Sequence, residues 1–444
     1  MADKKKKILL LDFVSEKNRG DAARQVGLLK LVYQNFHDLE VSVISVFGAN
    51  QYPALKDEYD HLNKFPVTIL GGLNPTFYPI HQHTHRSNFL FELAQAICSL
   101  PSLLLLIALK LKIQPGLLNR FLSNEYRKTL KQILEADIVI WKGQNIRPRN
   151  NWILEIYRIF ISVYHPLLCG ILTKPMACVG GSVWSLNSPI SRYILRSAFN
   201  KCAFISVREE SSYLETLKLL GNQDSSRVEL LPDLSFAAFN DRKAILQKRR
   251  RIPNTIYPQI IGLTIVDWKD DGKEARNSYK ESIHRIIDFF IEKESLIVII
   301  PQVTKKWESS SDLILQIVTA YDKKSSITCI EGEPTVDELL SIYSNLDFLV
   351  ATRMHSAIFA AAVNTPLMAI SYDSGGKWGI LGDLGYEDYI INYAEITPEK
   401  LLCKVLSSWE NREQLVVNAE KKIDENIVNV GMNISKLNKF TISK

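Results

Sequence analysis

The sequence predicts an α/β protein built as two Rossmann-like domains that face each other across a cleft. Short runs rich in β-branched residues and leucine alternate with longer amphipathic stretches along the chain, the pattern of a parallel sheet covered by helices. The alternation breaks at 241–259, where the basic cluster Lys248–Arg251 and a pair of prolines separate the apolar blocks on either side, as a linker does. A length of 444 residues, 46 % of them hydrophobic and 23 % charged, suits two or three domains with proper cores. The expected division is an N-terminal domain over 1–240, the linker 241–259, a C-terminal domain over 260–425, and a helix or tail over 426–444.

In the first half, strands are expected at Lys7–Val14, Val41–Val46, Val67–Gly71, Asp137–Trp141, Pro175–Val179 and Ala203–Val207, each closed by Gly, Ser or a charged residue. Helices fall at Asp21–Phe36, Asn124–Glu135, Pro189–Asn200 and Ser211–Leu220, the last stopped by Gly221. After the linker the strands are Ile260–Val266, Leu296–Pro301, Ser326–Ile330, Asp347–Ala351 and Leu367–Ser371. Their helices are Ser282–Lys293, Asp312–Tyr321, Val336–Asn345 and Ser356–Val363.

Composition removes several functional classes. The net charge is only +6, and the basic residues are scattered apart from Lys4–Lys7 and Lys248–Arg251, with no aromatic interleaving, so no nucleic-acid partner is expected. Six cysteines, at 98, 169, 178, 202, 329 and 403, form no CxxC pair and no framework, which fits a reducing, cytoplasmic setting. The apolar run after the N-terminal lysines is only Ile8–Leu11, too short for a signal peptide. Leu93–Leu109 is uncharged between Glu92 and Lys110, but it is short for a span and carries Gln95, Ser99, Pro101 and Ser102. It reads as a buried or interface-seeking helix and raises the expectation of peripheral contact at the inner face of the cell membrane.

Three turns carry the chemistry-bearing residues. The strand ending at Ala351 runs into Thr352, Arg353, Met354, His355 and Ser356, and a small-residue helix follows until Asn364 and Pro366. A helix N-terminus beyond a parallel strand holds anions, Arg can fork onto carboxylate or phosphate, and His moves protons near neutral pH. The alternative is an Arg353 ion pair to Glu331 or Asp347 with His355 as a cap. Ser206–Ser211 places Arg208 at a second strand end, with a salt bridge to Glu209 or Glu210 as its alternative. Asn18–Ala23 follows the first strand with one glycine, short of a dinucleotide fingerprint, and Asp21 stands where a cap is expected. Gly143, Gly180 and Gly181 end strands in turns that permit close backbone approach, and Asp233 follows Pro232 just before the linker. His81, His83 and His85 alternate without a neighbouring Cys or carboxylate, so no metal site is expected there.

Taken together, these motifs resemble the polysaccharide pyruvyl transferase family. The resemblance rests on Asn18–Asp21, the turns at Gly143 and Gly180-Gly181, Ser206–Glu209, Asp233–Phe236, and Arg353–Pro366 with Tyr372 and Lys377. Two departures stand out: Gly143-Gln144-Asn145 has one glycine where several are usual, and the step from Tyr372 to Lys377 is longer than the family's. What the resemblance implies is a GT-B-like fold and transfer of a pyruvyl group from phosphoenolpyruvate to a sugar hydroxyl pair as a ketal, in surface or exopolysaccharide biosynthesis. The acceptor would be a sugar or lipid-linked oligosaccharide, and neither metal nor redox cofactor is implied. On this reading Arg208 and Arg353 hold the donor, with Met354 and Ser356 beside them. His355 is the general acid or base, Lys377 supports phosphate departure, and the glycine turns approach the ligand. Asp233 either activates an acceptor hydroxyl or orients an arginine, and Asn18 and Asp21 face the acceptor from the opposite domain. A nucleotide-sugar-dependent glycosyltransferase is the second reading, although no acidic ribose clamp is visible in the second half.

Overall fold

The computed structural model describes residues 5–74, 97, 99–221, 225–248, 257–267, 273–304, 310–321, 326–372 and 378–437. The apolar runs of the first half become strands buried on both faces, which a parallel sheet between two helical layers provides. They are β1 (Lys6–Phe13), β2 (Leu39–Gly48), β3 (Val67–Gly72), β4 (Ile138–Lys142), β5 (Asn145–Ile146), β6 (Met176–Val183), β7 (Phe204–Val207) and β8 (Val228–Leu230). Their order is β3-β2-β1-β4-β6-β7-β8, with β5 beside β6, and every pairing is parallel. The second half repeats the plan with β9 (Gln259–Leu263), β10 (Ser295–Ile299), β11 (Ile327–Cys329), β12 (Phe348–Ala351), β13 (Leu367–Ser371) and β14 (Ile390–Asn392). These order as β11-β10-β9-β12-β13-β14, again all parallel. In each sheet the strand order reverses between the first strand and its partner, β4 or β12. The loops leaving that pair diverge and open a crevice at the carboxyl ends of the strands.

The helices used below are α1 (Arg19–Asn35), α2 (Leu100–Lys110), α3 (Asn124–Glu135), α4 (Trp152–Ser162), α5 (Tyr164–Ile171), α6 (Pro189–Phe199) and α7 (Glu210–Leu220). They continue with α8 (Arg242–Gln247), α9 (Lys273–Glu292), α10 (Ser311–Ala320), α11 (Val336–Ser344), α12 (Met354–Ala362), α13 (Pro398–Glu410) and α14 (Arg412–Asn429). Local chemistry fixes several ends. Asn18 caps α1 through Gly20 N–H, so α1 begins two residues before the expected start. Thr335 and Glu338 form a reciprocal capping box on α11. The strands β5, β8 and β14 and the helices α4, α5, α13 and α14 were not anticipated from the sequence.

The two halves are joined by packing as well as by chain. One apolar cluster runs from β1 and α1 through Phe236 and Phe239 to Tyr343 and Phe359, with the Phe239 and Phe359 rings edge to face at 5.4 Å. The proposed linker opens with α8, whose Arg242 is buried and donates to Asp424 and to Ala362 O. Its residues 249–256 lie outside the described set. Beyond α14 the chain returns to the first half, where Asn433 bonds Ser206 and Pro232 O, and Lys436 pairs with Glu229. Residues 426–437 of the expected helix or tail are therefore docked, because Asn433 and Lys436 complete polar contacts with β7 and β8; 438–444 lie outside the described residues. Among the described residues no single helix is long and apolar enough to cross a membrane; α4 and α5 together meet that test but are bent by 54°.

Candidate active site

Several strand ends converge where the two crevices meet. The loop after β1 reaches across to the loop after β10: Arg19 N–H donates to Gln302 O at 3.1 Å and Thr304 N–H to Lys17 O at 2.9 Å. These backbone bonds set the first turn of α1 directly against α12. Gly20 meets the imidazole of His355, and a Cβ at position 20 would stand 2.2 Å from Nδ1. Only a residue without a side chain lets the two domains close here.

Asp233 occupies the centre and is 1 % exposed. Its carboxylate accepts from Arg208 Nη1 and from Ser235 N–H at 2.8 Å, and it lies 3.7 Å from Arg24 Nε and 3.9 Å from His355 Nε2. Burial alone would raise its pKa, but Arg208, Arg24 and His355 outweigh that and hold the carboxyl well below the usual range. Arg208 is shifted the other way: burial opposes its charge, and Glu209 and Asp233 push its pKa up nonetheless. Burial, with Arg208 adding to it, lowers the pKa of Arg24, against the pull of Asp233 and Asp21.

Of two further buried groups, Lys142 borders this cluster and Glu16 lies by Arg19 and His61. Lys142 ends β4 with 1 % exposure, and its ammonium lies 5.9 Å from the centre of the Phe13 ring. Burial, then Arg24, pulls its pKa down to about 7, against Asp21 and Asp12. Glu16 sits in the loop after β1, accepts from His61 N–H at 2.8 Å, and is pushed up to about 7 by burial. Because the folded state holds this proton more tightly than the chain value of 4.5, its stabilising share is present below pH 4.5 and is lost as pH rises through 7. Glu16→Gln should therefore flatten the loss of stability between pH 4.5 and 7, by on the order of 3 kcal/mol or less. Denaturant unfolding at the two ends of that window checks this, and parallel curves for wild type and variant would refute it.

The expected site residues separate into groups. His355, Asp233, Arg208 and Asp21 come together, Asp21 by its 3.7 Å approach to Arg24 Nη1. Arg208, expected to fork onto a substrate anion, is instead fully engaged: Nε donates to Ser182 Oγ and Glu209 Oε1, Nη1 to Asp233, and Nη2 to Asn145 Oδ1. Arg353 stands half-buried at the N-cap of α12, at the carboxyl end of β12. Met354 and Ser356, expected to touch substrate, turn into the core. Met354 packs in the shared apolar cluster, while Ser356 Oγ lies 3.1 Å from Thr264 Oγ1 and donates to Arg353 O. The glycine turns likewise face the protein rather than a ligand. A Cβ on Gly143 would stand 2.3 Å from Gly181 Cα, and Gly143 O and Gly180 O both accept from Arg24 Nη2, at 2.8 and 2.6 Å. Asn18, expected opposite the donor, serves as the α1 cap through Gly20, the residue that meets His355. Lys377 and the His81, His83 and His85 alternation lie outside the described residues.

Arg24 and Lys142 were not singled out from the sequence. Arg24 had a usable signal, lying one turn beyond Asp21 on the helical stripe it shares with Gly20, Gly27, Leu28 and Leu31. Lys142 had another, ending a fully apolar strand just before Gly143 at the switch in strand order. Also missed was a cavity of about 200 Å³ lined by Asp12, Asn74, Asn145, Arg147, Arg158 and His165. It adjoins the cluster through Asn145, the partner of Arg208. Within it, His165 Nε2 accepts from Leu73 N–H at 3.0 Å, so Nδ1 carries the proton donated to Asp12 at 2.7 Å.

Two parallel α/β domains with their carboxyl edges apposed define the GT-B arrangement. The chain is similar to the Anabaena protein HepE solved with UDP-glucose, with a TM-score of 0.52 at 12 % identity, covering 99 % of this chain and 100 % of that one. It is also similar to the UDP-GlcNAc 2-epimerase of Neisseria meningitidis bound to UDP-GlcNAc, with a TM-score of 0.52 at 13 % identity over 98 % and 99 % of the two chains. At such identities the likeness is one of fold. Residues 18–374 match the polysaccharide pyruvyl transferase model, and the chain belongs to that family. A curated relative, the amylovoran biosynthesis protein AmsJ of Erwinia amylovora, is 22 % identical over 93 % of this chain and 95 % of its own.

Proposed function

We propose that the protein transfers the pyruvyl group of phosphoenolpyruvate to two hydroxyls of a sugar as a cyclic ketal, in assembly of a surface or exopolysaccharide. The observation that carries the reading is the approach of Asp233 to His355 across the domain junction, within a chain of the pyruvyl transferase family. The donor is a small polyanion. Arg353 and the backbone N–H groups at the start of α12 would hold its phosphate and carboxylate, and Lys142 and Arg24 add positive potential beneath them.

His355 is the proposed acid. It gives a proton to the methylene carbon of the donor, which leaves an oxocarbenium-like centre at the neighbouring carbon; one sugar hydroxyl attacks there and passes its proton to the donor's phosphate group, which it later leaves with. Cleavage of the carbon–oxygen bond to phosphate regenerates a cationic centre, the second hydroxyl closes the ring, and its proton returns to His355. One hydroxyl proton ends in the new methyl group and the other leaves with phosphate, so the cycle balances. Asp233, held ionised by two arginines, is a poor proton acceptor and acts as a positioning residue for His355. Lys377, outside the described residues, keeps the role the resemblance implies, support of phosphate departure. The acceptor would lie in the cavity lined by Asp12, Asn145 and Arg147, beside Asn18 and Asp21.

Phosphate release tests this. With phosphoenolpyruvate and a panel of free and lipid-linked oligosaccharides, release is expected only with an acceptor that offers a free hydroxyl pair. Glycosyl transfer from a nucleotide sugar, without phosphate release from phosphoenolpyruvate, would support the glycosyltransferase reading instead.

A further inference from the structure

The helix α2 is apolar around its whole circumference. Ser102, Leu105, Leu106 and Leu109 form the buried face, at the spacing of one helical stripe. That face is pinned to the body: Ser102 Oγ donates to Leu73 O at 2.9 Å and Tyr164 O–H to Ser102 O at 3.1 Å. The opposite face is equally apolar and faces outward, with Leu100, Leu103 and Ile107 exposed and Leu104 and Leu111 at 64 % and 70 %. Ile113, Leu117 and Phe121 continue it, Phe121 at 89 % exposure. Rotation of α2 cannot hide these groups, because its other face is already bonded and packed.

Along this segment the charge has one sign. From Leu93 to Asn124 the chain has no Asp or Glu, and its only charged residues are Lys110, Lys112 and Arg120, all exposed. An apolar face of leucines and an aromatic, on a segment whose only charged residues are cations, complements a bilayer surface with anionic headgroups.

We propose that the outer face of α2, with the Ile113–Phe121 segment, docks the protein on an anionic bilayer by shallow insertion. Leu104, Ile107, Leu111 and Phe121 enter the acyl boundary, and Lys110, Lys112 and Arg120 meet the phosphates. The surface adjoins the proposed acceptor cavity, since Ser102 bonds Leu73 and the next residue, Asn74, lines that cavity. Docking would thus bring the cavity to the height where a lipid-anchored glycan is presented. The inference stands on the surface itself and not on the pyruvyl transfer reading.

The test is co-sedimentation of the full chain with vesicles of phosphatidylcholine mixed with phosphatidylglycerol, and with phosphatidylcholine alone. Wild type is expected to bind the mixed vesicles, and to bind the neutral ones at least about tenfold more weakly. Leu104→Glu with Ile107→Glu should lower binding to the mixed vesicles by roughly tenfold or more, and Lys110→Glu with Lys112→Glu should remove the preference for the anionic lipid. All four positions are exposed, so the variants should keep the wild-type melting temperature. Wild type left in the supernatant would overturn the proposal, as would binding indifferent to Leu104→Glu with Ile107→Glu. So would a dimer in size-exclusion chromatography that the same pair of substitutions dissociates, which would assign the face to a second copy of the chain. Calorimetry with phosphoenolpyruvate on these variants reports on the catalytic reading separately, and the two can fail independently.

Discussion

Asp233→Asn is expected to damage both the fold and the reaction. The carboxylate is the shared counter-charge of Arg208 and Arg24, and neutralising it leaves two buried guanidiniums side by side with only Glu209 and the more distant Asp21 to offset them. Breaking a buried pair by removing one partner costs about 3–5 kcal/mol, a large share of the stability of an ordinary domain. Turnover should fall by roughly 10²–10⁴-fold, because His355 loses the charge that orients it. The two effects can be separated. Arg24→Met in the Asp233→Asn background removes the cation left with only Asp21 near it and should recover much of the stability without recovering turnover. If the double variant regains turnover together with stability, Asp233 is structural only.

His355→Gln should lower turnover to a similar degree, roughly 10²–10⁴-fold, with little loss of stability. The ring is 14 % exposed, so its removal strands less buried charge than removal of Asp233 does. Phosphoenolpyruvate should still bind, since the proposed anion-holding groups are Arg353 and the start of α12. The expected signature is a lower kcat at nearly constant KM, and a pH–rate profile that loses the limb due to the imidazole. Loss of donor binding with turnover per bound donor unchanged would make His355 a binding residue instead.

How far the sequence reached depended on whether the signal was local. The strands that flank each switch in order, β1, β4, β9 and β12, were legible because each is an apolar run ending at a Gly or charged turn. Helix α4, WILEIYRIFIS, was not, because its apolar content conceals a polar stripe. The two- and three-residue strands β5, β8 and β14 owe their pairing to neighbours rather than to their own pattern. The return of the chain end through Asn433 to Ser206 is a tertiary contact between distant segments, and no local pattern encodes it.

The site shows the same boundary. His355, Arg353, Arg208 and Asp233 were found because each stands at or near a strand end, yet what each one faces was beyond reach. Arg208 turned out to be engaged by four partners, and Met354 and Ser356 turned inward, Met354 into the apolar cluster shared by the two halves and Ser356 onto Thr264 and Arg353 O. The three glycines were legible as close approaches, but the partner approached is the protein's own backbone and Arg24. Lys142 and Arg24 escaped notice because a cation in an amphipathic or strand-end context reads as solvated until burial is known.

The most direct test of the central claim is calorimetric binding of phosphoenolpyruvate to wild type and to Arg353→Ala, with a panel of nucleotide sugars run in parallel. Wild type is expected to bind phosphoenolpyruvate without help from a nucleotide sugar, and Arg353→Ala to lose at least about tenfold in affinity, as removal of a charge-assisted fork should cause. A nucleotide sugar bound tightly by wild type, with phosphoenolpyruvate ignored, would contradict it.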